Sequence, residues 1–108
     1  MKQKMFRKAD VIKEVEKYGD LMLDVFEYMR KNPELGWKEY KANERMISEF
    51  EKLGYKVERP EGVTGFWTTI DTGKPGKTVA ILGELDSVIC ANHPDAASIS
   101  AETGLSTV

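Results

Sequence analysis

At Gly54 the hydrophobic pattern of this chain changes its period, so neither an all-helical nor an all-strand reading accommodates both halves. Before Gly54, Val11, Val15, Tyr18, Met22, Val25 and Met29 recur at alternating spacings of four and three, and Ile12 and Phe26 widen the stripe. This spacing predicts an amphipathic helix with Asp10 as its N-cap. The segment Lys-Asn-Pro-Glu-Leu-Gly at 31 to 36 closes it, because the residue before Pro33 is forced out of the helical region. A coiled coil is the alternative, but the stripe is short and contains Gly19, which favours packing on a sheet. A second helix is predicted from about Trp37 to Leu53, with Met46, Ile47, Phe50 and Leu53 on one face and the charged residues on a solvated one. Gly54 suits the left-handed position that follows such a helix.

After Gly54 the residues favour strands. Tyr-Lys-Val-Glu-Arg alternates up to Pro60, Gly-Phe-Trp-Thr-Thr-Ile is rich in β-formers, and Thr-Val-Ala-Ile-Leu at 78 to 82 is an apolar run. The Gly73 to Gly76 segment between the last two reads as a hairpin turn. The little alternation in 78 to 82 predicts a central strand buried on both faces. The fold class expected is therefore α/β, with two amino-terminal helices packed on a partial three-stranded sheet. Residues 97 to 108 are small and polar and read as a flexible tail, leaving an ordered part of about 8 to 90.

Composition narrows the function. Charged residues make up 31% of the chain with a net charge of −2, acids and bases interspersed, which argues against a nucleic-acid partner. Neither a signal peptide nor a membrane span is indicated, so the expected location is cytoplasmic and no membrane partner is expected. The single Cys90 permits no internal disulfide and fits a reducing compartment.

The run at 78 to 82 leads straight into Glu84 and Asp86. Residues just past the carboxyl end of a sheet strand line the crevice where open α/β proteins place their sites, and alternation sends both side chains to one side. Two such carboxylates can ligate hard or borderline cations or orient a histidine ligand; equally, they can be solvated or cap the next turn. Cys90 and His93 form a C-x-x-H pair, which could offer two metal ligands or be a buried thiol beside a loop histidine. Gly-Lys-Pro-Gly-Lys-Thr at 73 to 78 lacks phosphate-loop spacing and joins strand to strand, so a turn is the better reading.

The ordered series Pro33-Glu34-Leu35, Glu39, Leu53-Gly54, Thr64-Gly65, the Gly73 to Gly76 turn and Glu84-x-Asp86 resembles the amino-terminal part of a metallopeptidase and amidohydrolase family. That family contains aminoacylases, aminobenzoyl-glutamate hydrolases and auxin-conjugate hydrolases. The resemblance covers nearly the whole chain and implies the start of a zinc-peptidase-like catalytic domain over 1 to 108. In the family this strand ends in D-x-D or H-x-D, the last acid lying beside a two-metal centre. Asp86 matches that acid, a catalytic-domain residue, while Glu84 takes the place of the preceding Asp or His, a departure that counts against direct ligation. His93-Pro94-Asp95-Ala96 resembles a segment that precedes a Thr-Gly pair and then a His-x-Cys-Gly-His ligand cluster. Here Thr103-Gly104 is followed by Leu-Ser-Thr-Val.

The resemblance thus implies the amino-terminal portion of a metal-dependent amidohydrolase, inactive as this chain, whose full-length relatives use two divalent ions, zinc or manganese. Their substrates would be small N-acyl or aminobenzoyl amides of amino acids or peptide-like molecules. The alternative is a stand-alone binding or interaction module that keeps the fold without the chemistry. No tight metal or other cofactor is expected for this chain alone, and an unpaired central strand makes self-association or marginal stability the expected behaviour.

Overall fold

The computed structural model of the protein describes residues 7–94. It contains α1 (Lys8–Glu16), α2 (Gly19–Lys31) and α3 (Tyr40–Lys52). The first helical stripe is therefore two helices, not one. Tyr18 leaves the helical region at φ −101°, ψ 8°, and its N–H turns back to Val15 O at 3.0 Å. Gly19 follows, and a glycine inside a helix costs about 1 kcal/mol relative to alanine, so the break falls where the helix is cheapest to interrupt. Asp10 is not the N-cap. Arg7 is, and Asp10, at the third helical position, accepts the Arg7 backbone N–H at 3.0 Å. Helix α2 ends as expected before Pro33, with the Asn32 side chain and backbone both donating to Tyr28 O.

Helix α3 starts at Tyr40 rather than Trp37, because Trp37 has a positive φ of 66° and cannot belong to a right-handed helix. Its end follows the sequence. Gly54 has φ 89°, its N–H meets Glu51 O at 2.9 Å, and the Tyr55 N–H meets Phe50 O at 3.1 Å. This is a Schellman closure, completed by the apolar contact of Phe50 and Tyr55 at a ring separation of 6.1 Å.

The expected α/β architecture is not observed. Among the described residues there is no strand and no sheet; the structure is helical, joined by extended and turn segments. The first two β-like segments meet at one antiparallel bridge, Glu58 with Trp67, bonded both ways at 2.9 Å. They are close in sequence, so closing that loop is cheap. The Asp71 to Gly76 segment does turn, with Asp71 accepting the Gly73 N–H at 2.7 Å, but no hairpin is built on it. The apolar run at 78 to 82 lies open to solvent, with Val79, Ile81 and Leu82 at 83%, 98% and 90% exposure. A strand exists only through its neighbours' hydrogen bonds, and β-forming composition without a partner backbone gives extended chain rather than sheet.

The core gathers instead on one face of α3. Ala42 and Ile47 are buried there, and Phe50 meets Phe66 edge-on at 5.3 Å. Helices α1 and α2 contain no fully buried residue. Contact between α2 and α3 runs through Arg45, whose guanidinium pairs with Asp24 at 2.5 Å and Glu49 at 3.1 Å and lies 5.1 Å from the Tyr28 ring centre. None of the described helices is long and apolar enough to cross a membrane. The expected flexible tail at 97 to 108 lies outside the described residues.

This packing gives a direct test. Ile47→Ala should cost about 2 to 5 kcal/mol of stability, whereas Ile81→Ser should stay within about 0.5 kcal/mol of wild type. Chemical denaturation of both variants checks this, and a large loss from Ile81→Ser would restore the buried strand.

Candidate functional site

The site is organised by Glu34. Its carboxylate reaches across the turn to the amino end of α3, accepting the N–H of Lys41 at 3.0 Å and of Ala42 at 2.8 Å. These are the second and third residues of the helix, whose N–H groups have no partner within it. Its backbone carbonyl faces the other way and accepts the Ser87 N–H at 2.7 Å. One residue thus ties the helix start to the position following Asp86.

Glu39, at the helix N-cap, closes the next side. One carboxylate oxygen accepts the Trp37 N–H at 3.0 Å and the other accepts the Thr64 hydroxyl. The Thr64 hydrogen bond, opposed by partial burial and assisted by the backbone N–H groups of Glu39 and Trp37, holds the Glu39 carboxyl below the ordinary glutamate range. The next residue is held as well, since the buried Asn43 side chain accepts the Gly65 N–H at 3.1 Å.

Glu84 and Asp86 complete a cleft of about 210 Å³, lined also by Glu39, Thr64, Gly65 and Gly83. A methyl group on Gly36 would stand 3.8 Å from Asp86 Oδ2 and 4.0 Å from Glu39 Oε1, so both carboxylates approach the same stretch of backbone. Glu84 and Asp86, the two carboxylates expected from the sequence, both line this cleft, on exposed chain rather than at a strand end. Cys90 and His93 share a turn, with the His93 N–H donating to Cys90 O at 3.2 Å; Cys90 is a half-buried free thiol and neither lines the cleft.

Sequence reasoning named Glu84 and Asp86 as candidates but assigned no role to the groups around them. Glu34, Glu39 and Thr64 were visible only as members of a motif series, and Asn43 gave no signal beyond a polar residue in a helix.

The donor set does not fit a metal by itself. Among the described residues no three His, Cys, Asp or Glu side chains converge as a metal-holding group. Both Glu39 oxygens are already engaged, which leaves Glu84 and Asp86 as the open oxygen donors of the cleft.

Comparison with known proteins gives partial relatives. The chain is 35% identical over 78 residues to thermostable carboxypeptidase 2 of Saccharolobus solfataricus, covering 71% of this chain and 19% of that protein. It is 31% identical over 83 residues to thermostable carboxypeptidase 1 of the same organism, covering 76% and 21%. It is 33% identical over 69 residues to IAA-amino acid hydrolase ILR1-like 2 of Arabidopsis thaliana, covering 64% and 16%. The chain spans about a fifth of the length of these curated relatives. No family model matches it. No solved structure matches it either. These similarities support a peptidase- or amidohydrolase-like origin.

The Glu39–Thr64 bond predicts a pH effect of defined sign. A carboxyl whose folded pKa is depressed binds fewer protons folded than unfolded, so its contribution is full above the unfolded pKa and is lost as pH falls through the folded one. Thr64→Val should therefore flatten the loss of Tm on acidification from about pH 5 to about pH 3, with little effect on that slope near neutrality. Thermal melts across that range check it; an unchanged acid limb would remove Thr64 from this role.

Proposed function

We propose that this chain carries one wall of the active site of a metal-dependent hydrolase that cleaves the amide bond of an acyl-amino acid or a peptide-like substrate. Supporting the reading most is the meeting of Glu84 and Asp86 on one cleft in a chain partly similar to two carboxypeptidases and an IAA-amino acid hydrolase. Asp86 is the carboxylate that stands beside the metal centre, and Glu84 lines the approach to it. The centre itself would hold two divalent ions, zinc or manganese, whose remaining donors belong to the length of the relatives that this chain does not span.

Amide hydrolysis needs a polarised carbonyl, an activated water and a group to take the water's proton. Glu84 and Asp86 are the open acids of the cleft and the described residues form no metal-holding group, so no catalytic step is assigned to this chain alone. Its own residues supply placement: Glu34 anchors the Asp86 segment and Glu39 with Thr64 fixes the opposite side.

The reading is tested on the chain as it stands by adding manganese(II) at low millimolar concentration and recording paramagnetic broadening of backbone NMR signals. Gly83 to Ser87 should broaden first, and that selectivity should vanish in the Asp86→Asn, Glu84→Gln double variant. Broadening centred elsewhere, or unchanged in the double variant, would remove the cleft from the metal site.

A further inference from the structure

The run at 78 to 82 holds the three most exposed large apolar side chains among the described residues, Val79, Ile81 and Leu82. Its backbone is as open as its side chains. No N–H or C=O of residues 78 to 82 takes part in a hydrogen bond among the described residues. Unpaired backbone carrying β-branched side chains is a template on which another strand can form.

The charges around the run decide which strand fits. Lys74 and Lys77 precede it, Glu84 and Asp86 follow it, and none of the four is in an ion pair among the described residues. A second copy lying antiparallel sets the basic end of each run against the acidic end of the other. A parallel copy in register would place lysine on lysine and acid on acid, which destabilises a ladder. The run is thus complementary to itself when antiparallel.

A two-fold axis through Ala80 sets Val79 opposite Ile81 and Thr78 opposite Leu82. Alternation then gathers Val79 and Ile81 of both copies on one face, and facing β-branched pairs are what stabilise an antiparallel ladder. Lys77 falls opposite Gly83, next to Glu84. The ladder stops at Pro75, which has no N–H to donate.

We propose that the run at 78 to 82 is a self-recognition strand that pairs antiparallel with the same run of a second copy of this chain. So short a ladder buries less than the roughly 1,200 Å² of a standard interface, so the dimer is weak and reversible. At the low micromolar concentrations of a denaturation experiment the chain is therefore monomeric. The pairing does not rest on the hydrolase reading.

The test is sedimentation velocity of the full chain from low micromolar concentration to about 1 mM, at about 0.1 M salt. A shift from monomer to dimer is expected, with a dissociation constant on the order of 100 µM. In a sample mixing isotope-labelled and unlabelled chains, NMR should show intermolecular contacts between the Val79 and Ile81 methyl groups. Ala80→Pro removes an N–H at the centre of the ladder without removing apolar surface, so it should weaken dimerisation at least about tenfold. Helix content and Tm at low micromolar concentration should not change in that variant. Lys77→Glu should also weaken the dimer, and adding Glu84→Lys to it should restore pairing, because the opposite charges meet again.

A monomer across the whole range, assembly beyond the dimer, or a dimer indifferent to Ala80→Pro would each overturn the proposal. So would a double variant that associates no better than Lys77→Glu, or loss of helix content in Ala80→Pro.

Discussion

The carboxylate of Glu34 on the amino end of α3 is the interaction on which the rest of the site depends. A helix start presents N–H groups with no internal partner and a partial positive charge, and an anion placed there typically contributes roughly 0.5 to 2 kcal/mol. Here the anion comes from eight residues upstream of Ala42, immediately after Pro33, rather than from the N-cap position. Because the side chain of Glu34 is fixed on the helix, its carbonyl is fixed as well. That carbonyl receives Ser87, the residue next to Asp86, in a chain where the apolar run before this segment lies in solvent.

Local features were legible where the forces that make them are local. Gly54 closes α3 because a left-handed residue is needed there, and Pro33 ends α2 because the preceding residue cannot stay helical. The break between α1 and α2 was not legible from the stripe: the apolar spacing runs across it, and the interruption comes from the backbone at Tyr18 and Gly19. The sheet failed for a different reason. Residues 78 to 82 have the composition of a buried strand, but composition specifies what a strand would bury, not which backbone it pairs with. Glu58 and Trp67 pair because the chain between them is short; Val79, Ile81 and Leu82 meet no partner among the described residues and remain exposed.

The site divides in the same way. Glu84 and Asp86 are two residues apart, so their shared cleft follows from proximity and could be read in sequence. The Thr64 bond to Glu39 spans 25 residues and the Gly65 bond to Asn43 spans 22, and no local pattern announces either. What results is a set of acids with distinct duties. Glu34 and Glu39 are consumed by backbone and hydroxyl donors, while Glu84 and Asp86 remain the open carboxylates of the cleft.

The central claim is that Glu34 couples the start of α3 to the Asp86 segment, and amide hydrogen exchange measures that coupling most directly. In the wild-type chain the amides of Lys41, Ala42 and Ser87 should all be protected. In Glu34→Ala the three should lose protection together, although the carbonyl that binds Ser87 is still present in the backbone. If Lys41 and Ala42 lose protection while Ser87 keeps its own, the two ends of the site are independent and the account is contradicted.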